Sequence, residues 1–173
     1  MNSHPASVLA FVVIALVFAM HVIPAAAEKK ISIVLLGTHL QNDNQIYEPT
    51  SDAERARLEK VGQAFTEQLA NSDQFDVRSV PQTMSAKITA GQTLGECGGC
   101  ELDYGAALGV DAIAWINVQK VSNLILNLNV YIADVKSQKM TFVRSVDIRG
   151  NTDESWIRSI NYVVKNYLLP GQG

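Results

Sequence analysis

Apolar positions along this chain follow three patterns: one long unbroken run, several short runs, and stretches that recur at helical spacing. The long run spans Ala6 to Ile23 and is broken by Pro24. Ile31 to Leu36 is a short β-branched run ended by Gly37, the pattern of a strand buried on both faces. A polar stretch from Thr38 to Thr50 reads as a long loop. Ser51-Asp52-Ala53-Glu54 then has the form of a capping box. The helix it predicts runs to about Asn71, with Leu58, Val61, Phe65 and Leu69 on one face. Phe75 to Val80 is a second strand, stopped by Pro81. Met84 to Thr93 is weakly helical, and the glycines from Gly95 to Gly99 predict a loop. Glu101 to Leu108 is a short helix closed by Gly109. Three strands follow, Ala112 to Lys120, Leu124 to Asp134 and Met140 to Arg149. A last helix opens at Asn151-Thr152-Asp153-Glu154, with Asn151 and Glu154 spaced as a capping pair.

The order β-α-β-α-α-β-β-β-α predicts an α/β sandwich on a mixed sheet. Its first half is parallel with right-handed crossovers, and its C-terminal half is an antiparallel meander. Alternation in the third and fourth strands places Ala114, Ile116, Val118, Leu126, Leu128, Val130 and Ile132 on a core face. Trp115, Asn117, Gln119, Asn127, Asn129 and Tyr131 fall on the other. Matching polar to polar pairs Asn117 with Asn127 and leaves Val121 to Asn123 as the turn. The second face is then an open, amide-rich surface with two aromatics, a composition suited to a protein partner.

The long apolar run changes the compartment. Followed by Pro24 and Ala25-Ala26-Ala27, it has the form of a secretory signal peptide over residues 1–27, cleaved after Ala27. The n-region Met1 to Pro5 has no Lys or Arg, so an uncleaved leader is the one route to membrane attachment. Residues 28–173 are then a single exported domain. The formal net charge of −3 falls entirely within it and gives no basic stripe, which argues against nucleic acid as a partner. Cys97 and Cys100 lie within that domain and should pair in an oxidising compartment.

Three strings carry a resemblance: Glu96 to Glu101 (ECGGCE), Val118 to Asn127 (VQKVSNLILN) and Asp147 to Trp156 (DIRGNTDESW). With them the chain resembles a family of secreted bacterial proteins defined as a domain of unknown function. Ala106 to Ile113 (AALGVDAI) is similar to the helix-to-strand step of TolB amino-terminal domains and of curli-secretion-channel-like periplasmic domains. The resemblance implies residence in the cell envelope, another envelope protein as partner, and binding rather than catalysis. It assigns no catalytic residue.

Local chemistry offers few alternatives. Cys97-Gly98-Gly99-Cys100, just before a helix, could run thiol–disulfide exchange, because a helix N-terminus lowers a thiol pKa. Glu96, Glu101 and Asp103 oppose that shift, and the pair does not follow the first strand of a βαβ unit. A local structural staple is the expected role. His39, the single histidine after residue 27, is placed in the loop beyond the first strand, where open α/β sheets bind ligands. It joins the candidate binding residues. No nucleophile elbow, phosphate loop or dinucleotide fingerprint occurs, so no cofactor, metal or catalytic residue is predicted.

Overall fold

The structure, a computed structural model, describes residues 29–171. The predicted leader, and with it the division of the chain at residue 27, lies outside the described residues. Nine elements occur in the expected order: β1 (Ile31–Asn42), α1 (Asp52–Ala70), β2 (Phe75–Arg78), α2 (Gln82–Ala90), α3 (Cys100–Leu108), β3 (Ala112–Lys120), β4 (Ile125–Asp134), β5 (Lys139–Arg149) and α4 (Asp153–Val163). A π-helical turn, Val164–Leu168, continues α4. The strands form one sheet in the order β2-β1-β3-β4-β5. β1 is parallel to β2 and β3, and β3-β4-β5 is an antiparallel meander.

One face, here face A, carries a continuous aliphatic core. Ile33, Leu40, Ala114, Ile116, Val118, Leu126, Leu128, Val130 and Ile148 pack against Val61, Phe65 and Leu69 of α1 and Trp156, Ile160 and Val163 of α4. Strict alternation in β3 and β4 forces this, because each strand has one apolar parity. A second cluster occupies the opposite face, face B. Val34, Leu36, Ile113, Trp115 and Ala133 pack there against Ile88 of α2 and Tyr104 of α3. Gly105 lets α3 lie flat on the sheet: a Cβ there would stand 2.6 Å from Ile113 Cγ2 and 2.7 Å from Val135 Cγ2.

Several expectations change. β1 does not end at Leu36; a bulge between Leu35 and Gly37 shifts its register by one, and the strand runs on to Asn42. The bulge swaps the parity of the strand, so Thr38 and Leu40 join face A while His39 and Gln41 join face B. His39 is therefore a strand residue, not a loop residue. Asn117 pairs with Asn129, not Asn127, and Gln119 pairs with Asn127. The shift is two residues, so every side chain keeps its predicted face. The added length goes into a longer turn, in which Val121 N and Ser122 N both donate to Ile125 O. The α4 cap is Thr152 with Ser155 in a capping box, not Asn151 with Glu154.

Candidate functional site

The register stacks face B into rows that cross the sheet. Gly37, Trp115, Tyr131 and Val143 form the first; His39, Asn117, Asn129 and Ser145 the second; Gln41, Gln119, Asn127 and Asp147 the third. All seven residues predicted to bind thus lie on one surface, and His39 arrives there through the β1 bulge. The first row borders the second core. Trp115 is only 7% exposed and stacks on Tyr131, with ring centroids 5.1 Å apart and 12° between planes. The expectation that Trp115 lies open on the surface is therefore wrong: α2, α3 and the loop between them cover it. Tyr131 is half-buried at the boundary.

The second and third rows are uncovered. His39, Gln41, Ser145 and Asp147 are exposed, and Asn117, Gln119, Asn127 and Asn129 are partly so. Asn129 Nδ2 donates to the Asn117 carbonyl at 3.2 Å. Gln119 Nε2 and Gln41 Nε2 donate to the two oxygens of Asp43 at 3.1 and 3.2 Å. Asn117 Oδ1 is buried with no hydrogen-bond partner among the described residues. The surface is rich in hydrogen-bond donors and acceptors and carries the exposed carboxylates Asp43 and Asp147.

The disulfide-closed loop frames this surface. Cys97 and Cys100 are bonded, and Cys100 starts α3 behind Gly99, whose φ is 111°. The buried carboxylate of Glu101 accepts from Gly95 N, which pulls the loop onto the helix. A Cβ on Gly95 would lie 3.2 Å from Trp115 Nε1, so the loop presses on the Trp115 edge. Both sulfurs and a Glu101 oxygen lie within 4.8 Å of one another, but sulfurs bonded to each other are not thiolate ligands.

At the carboxyl ends of β1 and β3 lies a polar network that sequence reading missed. Lys120 and Glu54, both buried, pair at 2.8 Å; Glu48 lies 3.5 Å from the same ammonium. Glu54 also accepts from Ser51 N at 2.8 Å and from Asn151 Nδ2 at 2.7 Å. Asn151 Oδ1 in turn accepts from Trp156 Nε1 and Arg57. Burial alone would raise the Glu54 pKa, but Lys120, the Ser51 amide and hydroxyl and Asn151 together bring it down to about 2. Burial likewise opposes the Lys120 charge, yet Glu54 and Glu48 raise its pKa. Every member is spoken for, so the network fastens α1, β3 and the β5–α4 connection and leaves no group free for chemistry. The signal was present: Lys120 continues the apolar parity of β3, and a charge on a core parity must be paired.

Among the described residues no helix is long and apolar enough to cross a membrane. A family model described as "Protein of unknown function (DUF2380)" matches residues 31–168. None of the curated proteins matches this sequence. Among solved structures, lipoprotein GNA1162 from Neisseria meningitidis is similar in fold, with a TM-score of 0.51 and 14% identity over 83% of this chain and 99% of that one. The LpoB C-terminal domain from Salmonella enterica gives a TM-score of 0.45 and 13% identity, over 69% of this chain and 82% of that one. TolB from Acinetobacter baumannii gives 0.47 and 11%, over 82% of this chain and 29% of that one.

Proposed function

This chain belongs to the family whose model matches residues 31–168, one of unknown function, and we propose that it is a non-catalytic binding or accessory module of the cell envelope, docking another envelope protein on the open half of face B. The observation that carries this reading is the two uncovered rows of amide, imidazole, hydroxyl and carboxylate side chains from four adjacent strands. Such a surface offers matched donors and acceptors at fixed spacing, as a specific protein contact requires. Residence outside the cytoplasm is supported by the leader-like run before Pro24 and by the Cys97–Cys100 disulfide. The fold likeness to a lipoprotein agrees with it.

A thiol–disulfide role has one observation in its favour, the placement of both sulfurs at the N-terminus of α3. The acidic residues around them weigh the other way, and the loop's packing on Trp115 gives the bond a structural task. The test of the binding reading is site-specific photocrosslinking in cells, with the probe at Asn127 and, as control, at exposed Gln63 on α1. One envelope protein captured from Asn127 and not from Gln63 supports it. Identical adducts from both positions, or none, overturn it.

A further inference from the structure

The two ends of the sheet carry complementary apolar features. At the carboxyl ends of β1 and β3, the loop Asp43–Thr50 and the Val121–Leu124 turn form a joint tip. Asn123 Nδ2 donates to Glu48 at 3.1 Å, and Asp43 N donates to the Lys120 carbonyl at 3.0 Å. The loop is prefolded: Asn42 Nδ2 donates to the Glu48 carbonyl at 2.7 Å, and Glu48 N to the Asn44 carbonyl at 2.8 Å. On this frame Ile46 is 88% exposed, Tyr47 84% and Leu124 79%. Val121 and Ile125 are exposed beside them. An ordered loop that holds large apolar side chains in water is a surface lacking its cover.

At the opposite end, a recess of about 320 Å³ opens between the first residues of β1, β2 and β3, the start of β5 and the C-terminal π-helical turn. Ile31, Phe75, Ala112, Ile132, Phe142 and Leu168 make it apolar. Arg144 lies over the Tyr167 ring at its rim, 4.6 Å from the centroid. Asp134 also lines the recess, but Lys139 and Lys165 flank it and leave that rim net basic. The tip loop carries the acids Asp43 and Glu48, and Arg55, which donates to the Thr50 carbonyl of that loop, is already paired with Asp52. Nine residues of β3 separate tip and recess by about 30 Å, so one molecule cannot satisfy both.

We infer that the protein assembles head to tail, with the Ile46, Tyr47 and Leu124 tip of one copy seated in the Ile31, Phe142 and Tyr167 recess of the next. Apolar meets apolar and acidic flank meets basic flank in one repeated contact. The contact is heterologous, so each copy keeps one free end until a ring closes or a chain stops growing. An anionic bilayer is the poorer occupant of the tip, because insertion there needs basic neighbours and the loop is acidic. The inference does not rest on the binding reading, since the open rows of face B take no part in the contact.

The test is sedimentation velocity on the protein expressed from its complete coding sequence and purified in the form the host produces. A single tip is at the small end of specific contacts, so the series should span roughly 10–500 µM. The average mass should rise with concentration. Ile46→Ser with Tyr47→Ser, and separately Thr141→Glu at the exposed rim of the recess, should each move that rise roughly tenfold or more in concentration. Ile31→Asp is the second recess variant, should Thr141→Glu disturb β5. Mixed together, a tip variant and a recess variant should form one-to-one pairs that grow no further, since each keeps one intact half. A monomer at every concentration, oligomers that neither variant weakens, or variants that never pair would overturn the inference. So would cosedimentation with phosphatidylglycerol vesicles that is lost in the tip variant.

Discussion

Face A and face B are built on the same strands, yet α1 and α4 cover the first out to Lys120, whereas α2, α3 and the stapled loop cover only the first row and below on the second. On face A the apolar parity of β3 ends in a charge, and the fold closes around it with Glu54, Asn151 and Ser51. On face B the apolar parity ends at Trp115 and Tyr131, and amides take over in the open. The difference teaches that a polar residue beyond a core reads in two ways. Where helices continue over it, it must be fully paired inside. Where they stop, it stays open to solvent and free to meet a partner.

The sharpest way to break the closed side is Glu54→Gln. It removes the charge that neutralises buried Lys120 and weakens the α1 cap. Breaking one partner of a buried pair costs about 3–5 kcal/mol, read as a fall in the urea midpoint at unchanged slope. Acid probes the same contact without mutation. The folded pKa of Glu54 lies near 2, below its ordinary value of 4.5. Its contribution is therefore present above about pH 4.5 and is lost as pH falls towards 2. The loss is on the order of 3 kcal/mol, and in the Glu54→Gln variant that part of the acid dependence should vanish.

Face A was legible in the sequence because period-two alternation in β3 and β4 leaves one way to bury the aliphatic residues. Both helices that cover it were expected, α1 from the apolar spacing of Leu58, Val61, Phe65 and Leu69. The β3–β4 register was legible only to the parity of the strands: Asn117 against Asn127 and Asn117 against Asn129 bury the same side chains, and the turn decides between them. His39 was misplaced because Gly37 and the polar residues after it look like the end of a strand, while the β1 bulge turns them into its continuation. The cover over Trp115 was not legible either. Its helix α2 has one buried residue, Ile88, and so shows almost no periodicity, and the loop that completes the cover depends on backbone packing at Gly95.

A smaller effect tests the edge of that cover. Replacing Cys97 and Cys100 by serine opens a very short loop, and the chain-entropy cost is about 2 kcal/mol or less. Hydrogen exchange should speed up across residues 92–101 and at Trp115, and Trp115 fluorescence should shift as water reaches the ring. Face A should not change. The disulfide's reduction potential sharpens the point: a staple lies below about −300 mV, while a working redox pair lies near −120 to −200 mV. A value in the second range would shift the function of this loop from structure to exchange.

The smallest stability effect belongs to the open rows, and its smallness is what gives it meaning. Asn127 and Gln119 face each other across β3 and β4, partly exposed, with Gln119 held only by exposed Asp43. Replacing both by alanine removes no buried contact and should change unfolding free energy by no more than about 0.5 kcal/mol. Side chains kept for the fold would resist the change, as Leu128, between Asn127 and Asn129 on the opposite face, would resist it. If the double variant melts like the wild type yet loses the crosslinked partner seen from a neighbouring probe at Ser145, the amides serve recognition. If it loses stability as a core truncation does, by about 2–5 kcal/mol, the open rows belong to the fold, and the contrast between the two faces is one of degree.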